Sequence, residues 1–260
     1  MGSTGERGHG SLTPTPLPRL ELFCMYTVQI AEALNVELAF PFLAFMVEDF
    51  GYSGKQLGIH AGILASTFCA AQFTTAVPWG IFSDRYGRKP ALVGGLLGAA
   101  AGMAAFGLSK NMLQAATARA VGGMLCGNLG VMKSHMTEIT DNSNRANAFY
   151  LLNLSWYIGS VLAPLAGGIL SKPSTKWALF EGSFWVEYPF FLPCLTVCGW
   201  NVLSALLCFL VMESKDDGRG SKNEDFRGSK NEGIEMTRGR SSSVERRGGF
   251  RSRARSASTE

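Results

Sequence analysis

The chain has 260 residues, 47% of them hydrophobic and 17% charged, with a formal net charge of +4. Nearly half of its 24 basic and 20 acidic residues lie beyond Met212, so the remainder is an oily, glycine-rich stretch with short polar loops, which excludes an ordinary soluble domain. His9, His60 and His135 are scattered and all six cysteines fall in apolar runs, which argues against a metal centre, a disulfide framework or an enzyme site.

In chain order, residues 1–19 are polar and proline-rich, and they predict a disordered N-terminus without a removable signal peptide. Six apolar runs follow, at 22–47, 57–82, 91–109, 112–136, 146–170 and 189–212. Those at 91–109, 146–170 and 189–212 carry no charge, and each can cross a hydrocarbon core of about 30 Å. The run at 57–82 is also uncharged, while 22–47 and 112–136 are interrupted only by Glu32, Glu37, Arg119 and Lys133. The expected fold is an all-α membrane protein with six transmembrane helices over 20–212. Loop residues Arg7, Arg19, Arg85, Arg88, Lys89, Lys133 and Arg145 outnumber Lys55, Lys110, Lys172 and Lys176 on the other side, so both termini are expected in the cytosol, at the plasma membrane or an internal one.

Within the third run Gly94, Gly98 and Gly102 repeat every four residues, as do Gly123 and Gly127 in the fourth. Small residues at that spacing let helix backbones approach closely in lipid. Segment 213–260 repeats "RGSKNE" and ends rich in Arg and Ser, which predicts a disordered cytosolic linker or, more sharply, a basic lipid patch switched by phosphorylation. It lacks a base-stacking platform, so no nucleic acid partner is expected.

Between the second and third runs stands "WGIFSDRYGRKPAL", in which Gly80, Asp84, Arg85, Gly87, Arg88 and Lys89 complete Gly-x-x-x-Asp-Arg-x-Gly-Arg-Lys. Here the chain resembles the major facilitator superfamily, whose signature in this loop has that form. The resemblance extends to Arg119 with Gly123, Gly127 and Gly130, similar to a fourth-span motif associated with proton coupling. It continues through Gly159, Ala163, Pro164, Gly167 and Gly168, similar to an antiporter motif with Ala replacing one Gly. "EITDNSNRANAF" and "EYPFFLPCL" resemble fungal members of the drug:proton antiporter group. The resemblance implies the N-terminal half of a twelve-span transporter, built from two inverted three-helix repeats, with 213–260 similar to the central linker. It implies that the 84–89 loop is a cytosolic gate, with Glu138 as the expected partner of Arg88. It further implies helix packing at Gly80, Gly123, Gly127, Gly159, Gly167 and Gly168, and a kink at Pro164.

Charges inside a membrane are costly and face a partner or a cavity. Gln29, Glu32 and Asn35 are three apart and predict one polar stripe lining a central cavity. Glu37 lies about 140° around the helix from Glu32. Counted from the outer ends, Glu37, Glu32 and Arg119 lie ~15, ~22 and ~11 Å deep, which favours a proton-sensitive Glu37–Arg119 pair. The expected function is proton-coupled movement of a small solute by alternating access, with lipid, solute and protons as partners and no cofactor or metal. A lone half then needs a dimer partner or a second half. The alternatives are a non-transporting membrane regulator of full-length relatives and a truncated gene product.

Overall fold

The computed structural model describes residues 19–141, 143–180 and 182–212. The expectations for 1–18 and 213–260 lie outside the described residues, and the first described residue, Arg19, already begins a helix. The regular secondary structure of the described residues is all helical, without strands. Five long apolar stretches can cross a membrane, and the fourth span in chain order is assembled from two shorter helices.

Span one is α1 (Arg19–Glu37) followed by α2 (Phe40–Asp49). Pro41 causes the interruption: it has no N–H to donate, and its ring would clash with the carbonyl four residues back, on Glu37. Backbone bonds bridge the interruption: the Leu38 N–H reaches the Leu34 carbonyl at 3.2 Å and the Leu43 N–H reaches the Ala39 carbonyl at 2.8 Å. Span two is α3 (Lys55–Tyr86). Gly87 ends it at φ +102° and α4 (Arg88–Gly107) starts at once. That backbone conformation is open to glycine and strained for other residues.

The expected single helix over 112–136 is instead α5 (Met112–Leu125) and α6 (Asn128–Ile139). Asn111 caps α5 by accepting the Gln114 N–H at 2.9 Å. Spans five and six are α7 (Arg145–Leu170), which runs through Pro164 as one continuous helix, and α9 (Phe191–Val211). The short α8 (Ser183–Glu187) lies in the loop between them.

Helix α1 packs on α7 and α9, α4 packs on α9 and α5, and α3 packs on α5. Met25, Leu92, Leu96, Met132, Met136 and Leu152 fill the core at the Gly87 end. Leu38, Phe42, Met46, Leu64 and Phe106 fill the opposite end. Lipid offers apolar side chains no preference for one another, so close backbone approach matters. A Cβ on Gly102 would lie 2.3 Å from the Gly122 Cα, and one on Gly159 would lie 2.6 Å from the Ala33 Cβ. At Gly123 it would meet the Phe68 carbonyl at 2.4 Å, and at Gly167 the Leu38 carbonyl at 2.2 Å. Gly168 is looser, with Pro41 at 3.9 Å.

Gly80 is a correction to the sequence reading: nothing lies within 4 Å of its Cβ position. It sits on a largely exposed stretch of α3, where Val77 and Ile81 are also exposed. Gly102 and Gly80 therefore separate packing from helix propensity. Ala is better than Gly within a helix by about 1 kcal/mol, so Gly80→Ala is expected to leave unchanged or raise the thermal midpoint in detergent. Gly102→Ala is expected to lower it, because the opposing backbone cannot yield. Equal shifts for the two variants would refute this account of packing.

Candidate functional site

At the Gly87 turn, Arg88 joins the end of α3 to the end of α6. Its Nη1 donates to Asp84 Oδ1 and to the Ser83 hydroxyl, each at 2.7 Å. Its Nη2 and Nε donate to Glu138 Oε1 at 2.8 and 3.3 Å. The Arg88 side chain is 11% exposed, against 67% for Asp84 and 45% for Glu138, so a shielded cation serves two wet carboxylates. Arg85 and Lys89 lie outside this cluster. Arg85 lies over the Tyr86 ring at 5.7 Å, and Lys89 over Phe209 of α9 at 4.6 Å.

A second polar cluster lies inside the bundle, at the break in span four. Ending α5 and restarting α6 frees backbone carbonyls that a continuous helix would bond, and lipid offers no water to satisfy them. Span two supplies the partners. Trp79 Nε1 donates to the Met124 carbonyl at 2.8 Å and Gln72 Nε2 donates to the Cys126 carbonyl at 3.0 Å. Gly127 has to be glycine here, since a Cβ would sit 1.9 Å from the Trp79 ring. Gln72 Nε2 also donates to Glu32 Oε2 at 3.1 Å, and the Cys126 thiol donates to Glu32 Oε1 at 3.1 Å. Glu32 is fully buried. A cavity of about 330 Å³ touches Trp79, and one of about 240 Å³ is lined by Gln72, Phe73, Cys126, Gly127 and Leu129.

Gln29, Glu32 and Asn35 are all buried, but they do not act as one cavity-lining stripe. Glu32 sits one layer behind Gln72 and Cys126. Asn35 turns to α9, where its side-chain amide and that of Asn201 exchange hydrogen bonds at 3.0 and 3.1 Å. Gln29 Oε1 has no hydrogen-bond partner among the described residues. The covering layer explains the difference, since α3 and the broken span four pack over this part of α1. Interhelical hydrogen bonds in lipid average about 0.6 kcal/mol each, whereas stranding one buried amide costs about 1–3 kcal/mol. The Asn35–Asn201 exchange therefore fixes the register of α1 on α9 more than it adds stability.

The expected Glu37–Arg119 ion pair is also absent among the described residues. Arg119 is 2% exposed and donates from Nη1 to the Asn35 carbonyl at 2.9 Å. Its guanidinium lies between the Phe68 and Phe106 rings, 5.1 and 5.0 Å from their centroids. Glu37, the last residue of α1, accepts from Ser160 of α7 at 2.9 Å. Two residues along a helix rotate a side chain by about 200°, so the surface of α1 at Asn35 and the one at Glu37 cannot meet the same neighbour. Depth alone was a poor guide to the partner.

Sequence reasoning missed Gln72, Trp79, Cys126 and Asn201. The usable signal was polarity within two of the four charge-free runs, in Gln72 and Asn201. Gln72→Ala would free both the Cys126 carbonyl and one oxygen of Glu32. In a Cys69→Ser background it is expected to speed modification of Cys126 by a membrane-permeant maleimide several-fold, read by mass spectrometry. An unchanged rate would show that Gln72 does not hold the break closed.

The Major Facilitator Superfamily profile matches residues 25–253. The chain is 33% identical over 201 residues to the Arabidopsis thaliana protein Zinc Induced Facilitator 1, covering 76% of this chain and 41% of that one. It is 34% identical over 201 residues to the multidrug transporter mfsB of Aspergillus fumigatus, covering 75% and 33%. Over 183 residues it is 31% identical to the class C tetracycline resistance protein of Escherichia coli, covering 70% and 42%. The fold matches the crystal structure of the human organic anion transporter MFSD10 with a TM-score of 0.62 at 18% identity, covering 76% of this chain and 48% of that one. The chain thus spans less than half the length of these relatives. With a profile match over most of its length, a six-span all-α bundle and similarity to relatives from plant, fungus and bacterium, the chain belongs to the Major Facilitator Superfamily.

Proposed function

We propose that this chain forms one wall of a proton-coupled carrier of small solutes, working by alternating access as the N-terminal half of a twelve-span assembly. The observation that carries the reading is Glu32, a carboxyl group buried in the middle of a membrane helix and tied to a helix break beside a cavity. Ionisable groups cost too much in lipid to be kept there without a role or a partner. Discontinuous spans that place polar groups at mid-membrane are how many secondary transporters build their sites.

On this reading Glu32 exchanges the proton, and Gln72 and Cys126 carry its change of state to the break in span four. Arg119 holds the α1 backbone at Asn35, while Glu37 with Ser160 ties α1 to α7. The Arg88 staple is the edge of the gate, on the cytosolic side with both termini. A second six-span bundle supplies the opposite wall, either from a further half or from a partner chain. The similarity to proteins named for zinc, for several drugs and for tetracycline supports a small-solute cargo without choosing among them.

The test is reconstitution of the chain in vesicles, alone and with a full-length relative, with an imposed proton gradient and tetracycline or zinc as the probe. Flux that follows the gradient and is lost in Glu32→Gln, while the fold and protein level persist, is the expected result. Flux whose pH dependence survives in both Glu32→Gln and Glu37→Gln overturns the coupling. Co-purification with the relative, together with flux from the pair that is unaffected by Glu32→Gln in this chain, identifies it as a regulator instead.

A further inference from the structure

We propose that the connection between α7 and α9 is a bilayer-interface anchor, its aromatic rings seated in the headgroup layer at the end of the bundle opposite Gly87. This inference is independent of the transport reading. The Lys172 N–H donates to the Pro189 carbonyl at 2.9 Å and pins the two ends of the connection together. Between them lie two 3-10 turns, Pro173–Thr175 and Ala178–Phe180, and the short α8.

Six rings form a continuous cluster. Trp177 meets Phe180 at 6.1 Å and Phe180 meets Trp185 at 4.9 Å. Phe184 then contacts Trp185, Tyr188 and Phe191 at 5.4, 5.1 and 5.6 Å. The cluster is not folded inward, since Trp177, Phe184 and Val186 remain exposed. An exposed aromatic patch of this kind needs a covering surface.

Position identifies the occupant. The loop begins and ends on helices that cross the membrane, so it must lie at the boundary where Trp and Tyr rings are favoured. Charge agrees. The loops at this end carry Lys55, Lys110, Lys172 and Lys176 against Glu48, Asp49, Glu181 and Glu187, a balance that offers no strong field to an acidic or basic partner. Three of the lysines are already engaged. Lys110 pairs with Glu187, which with Tyr188 holds its ammonium above the usual lysine range. Lys172 pairs with Asp49 at 3.4 Å, and Lys176 donates to the carbonyls of Gly168 and Ile169. A neutral, ring-studded rim fits the lipid interface.

The chain labelled with 5-fluorotryptophan has five tryptophans to report, and Trp177→Phe and Trp185→Phe assign two resonances without touching the hydrogen-bonded indoles of Trp79 and Trp200. In phosphatidylcholine vesicles, both resonances are expected to broaden several-fold more with a nitroxide near the headgroup than with one at the acyl-chain end. They are expected to respond little to a water-soluble paramagnetic chelate. Broadening by the chelate alone would place the loop in water and overturn the proposal. Broadening by no probe would mean that protein covers the loop, a second copy included, and would overturn it equally. Stronger broadening from the chain end would place the rings in the hydrocarbon and also refute an interface site.

Discussion

Two carbonyls released at the break in span four, on Met124 and Cys126, are satisfied by side chains of span two, and the polar centre of this bundle depends on that substitution. Hydrocarbon gives a freed carbonyl no alternative, and each one left unsatisfied costs several kcal/mol. Trp79 and Gln72 are therefore required wherever the break is. Because Gln72 shares its donor nitrogen with Glu32, the requirement carries a consequence: the state of a carboxyl group in span one is tied to the shape of span four. Cys126 closes the same loop from the other side, giving its carbonyl to Gln72 and its thiol hydrogen to Glu32.

Around that centre the helices are drawn together by absences of side chain. Gly102 faces Gly122, Gly159 faces Ala33, and Gly167 faces the carbonyl at the α1–α2 junction. These contacts bring α4 to α5 and α7 to α1 at backbone distance, which places Asn35, Arg119 and Asn201 near enough to bond across three spans. Small residues and buried polar groups thus work together. A wider spacing would leave the Arg119 guanidinium, two of whose nitrogens have no hydrogen-bond partner among the described residues, without its bond to the Asn35 carbonyl.

The spans themselves were legible because charge-free runs longer than about 18 residues have few alternatives to a membrane helix. Four appear as single long helices, and the first as α1 followed by α2. The breaks were less legible for a physical reason. Pro41 announces the first locally, by removing a donor, but nothing in "LCGNLG" announces the second, which depends on Trp79 arriving from 48 positions away to occupy the space over Gly127. The close-packing glycines were readable as a period, yet the same one-letter code at Gly80 meets open space. Pairing of intramembrane charges failed similarly. Depth can be counted along one helix, whereas the azimuth of a partner depends on how two helices have already packed.

The two polar clusters differ in what they can do. The Arg88 staple uses carboxylates roughly half or more exposed, and ion pairs in such surroundings contribute about 0–1 kcal/mol. It can break and re-form at thermal energies. In the cluster at Glu32 the carboxyl group itself is fully buried, with Gln72 and Cys126 between it and the cavity, so its bonds are exchanged when the charge on the carboxyl changes or the break moves. On the reading proposed above, a reversible staple at the rim and a more cooperative cluster at the centre divide the labour that alternating access needs. In that proposal the bundle moves as one body at its edge while the event that permits the movement happens inside it.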